Sequence, residues 1–187
     1  MKGFRCQLRR FLRRDNGVSA IEFALVAPIL LMLLAAVVDF GALIYVRSQL
    51  ETAMSTATGY ALAHGQEVTA QTAPGLTLSV ARILAGQAGD ASSVDISINE
   101  GPRTSGAAGG LQQSGTAALA GLCYCPSPAN GAISWGNARS CGSACPAGGS
   151  AGKYMTLTAM APYTPLFFSY GLSDGGQIVV TATAALQ

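Results

Sequence analysis

The chain has 187 residues, 50% of them hydrophobic and only 11% charged, and a formal net charge of +2. That small charge conceals a division: residues 1–17 carry six basic side chains against one acidic, +5, and the remainder five against eight, −3. Composition of this kind fits a single-span membrane protein with a small exported domain. It argues against a nucleic-acid partner, because the basic cluster is a short tail beside an apolar run.

Residues 9–46 read RRFLRRDNGVSAIEFALVAPILLMLLAAVVDFGALIYV. Basic residues beside a span stay cytoplasmic, so the N-terminus is expected inside and residues from about 47 onward outside. The apolar stretch Phe23–Val46 is 24 residues long, interrupted by Pro28, Asp39 and Gly41. At the standard helical rise it covers roughly 36 Å, enough to cross a hydrocarbon core of about 30 Å with some tilt. It is too long for the apolar region of an ordinary secretory signal, normally about 7–15 residues. Cys6 precedes the run instead of following it, so it is no lipoprotein acylation site.

Glu22 stands at the mouth of this span. An ionisable group at membrane depth costs a few kcal/mol on insertion scales, so Glu22 calls for a partner or a route to the headgroups. Pro28 removes one backbone donor and is expected to kink or loosen the helix. Asp39 falls near the outer interface, where it is expected to face headgroups or to pair with Arg47 of a neighbouring helix.

The helical pattern continues past the membrane. Leu50, Ala53, Met54, Ala57, Tyr60 and Ala61 recur at three- and four-residue spacing, and Gly65 supplies a stop. One helix of about residues 19–64 follows, apolar all round in its first half and striped in its second. A shorter helix is predicted over 75–87, with Leu76, Val80, Ile83 and Leu84 on one face and Gly86 and Gly89 at its end. SSVDISI (92–98), KYMTLTAMA (153–161) and QIVVTATAAL (177–186) alternate as half-buried strands do. Residues 101–122, rich in Gly, Ser and Ala, read as loop. The expected fold is α+β: a long N-terminal transmembrane and spine helix, then a small antiparallel-sheet domain with one further helix. The domain divisions are a leader over 1–17, the helix over 18–64 and an extracytoplasmic domain over 65–187.

The basic leader, Gly17, the four residues after it, and then Glu22 and Phe23 resemble a type IV prepilin signal. Pro28, the triplet Asp39-Phe40-Gly41, and Tyr163-x-Pro165-Leu166 before the last strand extend the resemblance to the TadE/TadF family. These are minor pseudopilins of the tight-adherence (Flp) pilus and secretion machinery. The match is specific over about residues 16–62, and residues 65–152 carry no part of it. The resemblance implies that a prepilin peptidase cuts between Gly17 and Val18, leaving Glu22 at the fifth mature position. It implies a bacterial inner-membrane protein whose partners are that peptidase, other pilins or pseudopilins, and the assembly platform. Glu22 and Phe23 are its expected assembly residues, the carboxylate meeting the freed N-terminal amine of a neighbour. At about 170 mature residues the chain exceeds the short principal pilin of such systems, which implies a minor role. The competing reading is a single-pass envelope protein, uncleaved, whose exported domain binds a ligand or partner.

Cys123, Cys125, Cys141 and Cys145 remain beyond the leader, in a segment expected outside the cytoplasm, where disulfides persist. Two disulfides are expected in preference to a zinc site, whose usual gaps the Cys-x-Cys pair does not match. Three pairings are open. A bridge across Cys-x-Cys is strained, which favours joining each of the first two cysteines to one of the last two. The bridges would staple a Gly-rich excursion that has little core of its own. No catalytic constellation, cofactor site or metal site is expected. His64, the sole histidine, ends a helix, where the dipole favours it. Ser150 and Lys153 have S-x-x-K spacing but lack the helix which that motif needs. Trp135, Tyr124 and the aromatics of 163–170 are assigned to core packing ahead of an adhesive surface.

Overall fold

The unbroken apolar periodicity folds as one α-helix, α1 (Asn16–His64), which continues through Pro28. The computed structural model describes residues 16–89, 92–129, 132–167 and 176–186; the residues before Asn16, the basic side chains and Cys6 among them, lie outside these. Two compact units divide the chain: one contains α1 up to Leu43 and the segment from Pro165, and the other begins at Ile44 and contains the sheet.

In the second unit, α1 buries one stripe, Leu50, Ala53, Met54, Ala57 and Ala61, at the spacing that a 3.6-residue repeat requires. A short 3₁₀ turn, Gly65–Glu67, follows. The next helix, α2 (Ala73–Ala88), has Pro74 in its first turn, where the missing N–H has no helical acceptor to lose. It stops at Gly89, whose φ of 99° suits a residue without Cβ. Its buried face is Ala73, Leu76, Thr77, Val80, Ala81, Leu84, Ala85 and Ala88.

Strands β1 (Ser93–Ile98), β2 (Arg103–Ala107), β3 (Gly110–Ser114), β6 (Tyr154–Pro162) and β7 (Gln177–Ala185) form an antiparallel sheet in the order β3-β2-β1-β6-β7. β4 (Ser127–Ala129) and β5 (Ala132–Ser134) pair separately. Val94, Ile96 and Ile98 of β1 and Met155, Leu157, Ala159 and Ala161 of β6 are buried on one face. Helix α2 packs on β1 and β2. Within that contact the Thr104 hydroxyl donates to Thr77 Oγ1 at 2.9 Å, and Thr77 donates to the Pro74 carbonyl at 3.0 Å. The α+β class is that expected from the sequence. The stretch 101–122 differs: it holds the β2–β3 hairpin and a 3₁₀ turn, Ala117–Gly121, in place of a loop. Only Thr104 of its two strands is buried, so no alternating apolar pattern marks them. Gly106 permits the pairing, because its φ is 138° and a Cβ there would strike the Gly110 carbonyl.

Asn99 ties the sheet to the cysteine-bearing excursion. It is 2% exposed and sits at φ 52° in the left-handed region that Asn tolerates. Its Nδ2 donates to the carbonyls of Leu119 (3.1 Å) and Leu122 (3.0 Å), while Oδ1 accepts from the Tyr154 N–H at 3.0 Å. Immediately beyond, Cys123 joins Cys141 and Cys125 joins Cys145, with Cα–Cα distances of 5.1 and 5.6 Å. Tyr124 and Gly152 exchange backbone hydrogen bonds, and Trp135 lies between the rings of Tyr124 and Tyr154 at centroid distances of 6.2 and 6.0 Å. Cys123, Tyr124, Trp135 and Ala151 are all buried, so this excursion has a small core of its own.

Asn99→Ala strips partners from two carbonyls and one amide, and is expected to cost about 3 kcal/mol. Denaturant unfolding of the detergent-solubilised protein checks this; Asn99→Asp, which loses both donors, is expected to fall nearly as far. Thiol labelling of the folded protein should find Cys123, Cys125, Cys141 and Cys145 unreactive until a reductant is added. Each bridge closes a loop worth about 3 kcal/mol in the chain-entropy account.

Candidate functional site

Helix α1 is long and apolar enough to cross a membrane. Its residues from Ile21 to Val38 leave large side chains open, with Phe23, Leu25 and Val37 among the most exposed large apolar side chains of the described residues. Two carboxylates interrupt this surface, and they stand in opposite circumstances.

Glu22 is exposed, between the exposed side chains of Ile21 and Phe23. Among the described residues it has no hydrogen-bond or ion-pair partner. Gly17 and Val18 lie in the opening turns of the same helix, so Glu22 follows the Gly17–Val18 junction by little more than one turn.

Asp39 is fully buried, at 0% exposure. Its Oδ1 accepts the backbone N–H of Leu166 at 2.8 Å, and Oδ2 accepts that of Phe167 at 3.0 Å. Pro165, Leu166 and Phe167 belong to the same unit as this part of α1. The structure thus corrects the expectation that Asp39 faces headgroups. Arg47 bonds Glu51 one turn on along its own helix, Nε to Oε1 at 2.9 Å, an exposed pair worth about 0.3–0.5 kcal/mol. Burying an unpartnered carboxylate in apolar surroundings is costly, and two charge-assisted hydrogen bonds offset much of that. Sequence reasoning missed this contact because its partners lie 127 and 128 residues away. The signal available was an acidic residue at depth together with a Pro-Leu-Phe turn containing no charge.

Other residues singled out in the sequence are engaged locally. His64 ends α1, its Nδ1 3.0 Å from the Tyr60 carbonyl and its ring stacked on Tyr60 at 4.1 Å. Lys153 does not meet Ser150: its ammonium donates to the Val68 carbonyl at 2.7 Å. Arg103 and Asp95 pair across β2 and β1, and the hydrogen bond first, then the charge of Asp95, raises the Arg103 pKa above its usual value. Tyr163 is buried as expected of the C-terminal aromatics, but Leu166 and Phe167 are open, and Phe168 and Tyr170 lie outside the described residues.

Neither a curated protein nor a solved structure matches the chain. A family model does, over a segment that begins at Gly17, includes Glu22, Phe23, Pro28 and Asp39-Phe40-Gly41, and ends within the buried stripe of α1. The match, over residues 17–58, is to the TadE-like protein family, and it suggests involvement in the tight-adherence pilus system.

Proposed function

We propose that the protein is a minor pseudopilin-like structural component of a tight-adherence pilus and secretion apparatus. A prepilin peptidase cleaves it between Gly17 and Val18 at the cytoplasmic face of the bacterial inner membrane, where the leader's +5 charge holds the junction. The α+β domain then lies outside the cytoplasm. The observation that carries this reading is Glu22, exposed and without a partner among the described residues, at the start of the apolar run of α1 and within the segment that the TadE-like model matches.

Cleavage frees the α-amino group of Val18, so a cation and a carboxylate lie about one turn apart on each subunit. In the apolar interior of a helix bundle an unpaired carboxylate is strongly disfavoured, and a close ion pair with a neighbour's amine recovers much of that cost. Register between subunits follows from the penalty for misalignment more than from the strength of the pair. Phe23 adds an apolar contact beside it. The partners are other pilins or pseudopilins and the assembly platform.

The mature N-terminus, read by mass spectrometry of protein from native membranes, tests the reading: it should be Val18. A wild-type chain that retains residues 1–17 in an assembling strain would refute it. Gly17→Leu should leave the full-length form in the membrane. Glu22→Ala should insert and be cleaved normally yet fail to support piliation in a strain lacking the wild-type copy. Normal piliation by that variant would reduce Glu22 to a side chain that reaches the headgroups.

A further inference from the structure

The Asp39 contact fixes where one turn of the chain lies. Taking Phe23 as the inner end of the apolar stretch, Asp39 is 16 residues along α1, about 24 Å at the helical rise. A hydrocarbon core is about 30 Å thick, so Asp39 falls inside its outer leaflet. The Leu166 and Phe167 amides are hydrogen-bonded to it at that depth.

We propose that the Pro165–Phe167 turn is a second membrane anchor, its Leu166 and Phe167 side chains entering the acyl chains of the outer leaflet beside α1. This rests on the membrane-spanning role of α1 in the function proposed above. Three observations carry it. Leu166 is 70% and Phe167 59% exposed, although both are large and apolar. Phe167 lines an apolar cleft with Leu31, Met32, Leu34, Ala35 and Val38 of the helix, continuous with the surface that faces lipid. No charged residue occurs between Lys153 and Asp174.

The backbone donors of the turn meet the condition that lipid imposes on them. Irregular chain at membrane depth is tolerated only where its polar groups are satisfied. Pro165 has no N–H, and those of Leu166 and Phe167 are both taken by the Asp39 carboxylate, so three successive residues offer lipid no free donor. Asp39 acts here as a positioning residue, and the turn shields its charge in return.

Phe167→Trp tests this in the full chain, reconstituted into phosphatidylcholine vesicles with or without bromine on the acyl chains. The wild-type protein has one tryptophan, Trp135, in the sheet-bearing unit, and serves as the unquenched reference. Leu33→Trp, on the exposed face of α1, reports the span itself. Emission from Phe167→Trp should be blue-shifted and lost to brominated lipid as fully as that from Leu33→Trp. Adding Asp39→Ala should return the Phe167→Trp signal to the reference level without changing Leu33→Trp, and Asp39→Asn, which keeps one acceptor, should fall between. Quenching of Leu33→Trp without quenching of Phe167→Trp overturns the anchor and leaves the span standing. If neither is quenched, the span fails and the anchor with it. Protection of Phe167→Trp that disappears as protein is diluted in lipid would assign the turn to a second copy of the chain and overturn the lipid assignment.

Discussion

A carboxylate in apolar surroundings must find donors, and that constraint organises the N-terminal helix. Asp39 finds them within its own chain, from the Leu166 and Phe167 amides. Glu22 finds none among the described residues and remains on the open surface of α1. Because the penalty for an unsatisfied charge greatly exceeds the net worth of the pair that relieves it, each acid selects its partner by exclusion. For Asp39 the selected partner is a turn 127 residues distant in sequence, which a side chain without an acceptor would have no means to retain. For Glu22 the selection is left to whatever surrounds the helix.

The sheet-bearing unit solves a different problem, that of folding a glycine-rich sequence with few large side chains. Of the 23 glycines, many stand in the stretch between β1 and β6, where ordering each one costs more chain entropy than for any other residue type. Burial alone supplies little there, since the excursion buries mainly Cys123, Tyr124, Trp135 and Ala151. The two bridges shorten the unfolded chain's freedom, and Asn99 fixes the entry through the Leu119 and Leu122 carbonyls. Asn99 also bonds Tyr154, the first residue of β6, so one side chain registers both ends of the excursion against the sheet.

The elements that could be read from sequence are those whose burial is periodic. The stripe Leu50–Ala61 of α1, the buried face of α2, and the alternation of β1 and β6 each follow from one face meeting one core. The β2–β3 hairpin escaped because it is held by backbone pairing and the close approach at Gly106, which leave no apolar signature. Within the candidate site the exposed setting of Glu22 was legible from its position at the mouth of an apolar run. The burial of Asp39 was not, since no local pattern encodes a hydrogen bond to a turn in the other half of the chain. Asn99 escaped for the same reason: its three partners lie 20, 23 and 55 residues away.

The family match over residues 17–58 covers the exposed apolar part of α1 and ends within the stripe Leu50–Ala61 that is buried in the sheet-bearing unit. Within that segment two acids stand on the apolar part of the helix: Glu22, which is open, and Asp39, which has captured the Leu166 and Phe167 amides. Beyond it, the sheet and the cysteine-stapled excursion satisfy only the general demands of a small domain, which many sequences meet. One contact breaks this division of labour. The turn that Asp39 holds is the connection between β6 and β7, so the outer part of the helix draws on residues far beyond the matched segment to satisfy its second acid. A substitution in that distant turn which removes an amide, such as a proline at Leu166 or Phe167, therefore acts on the helix itself.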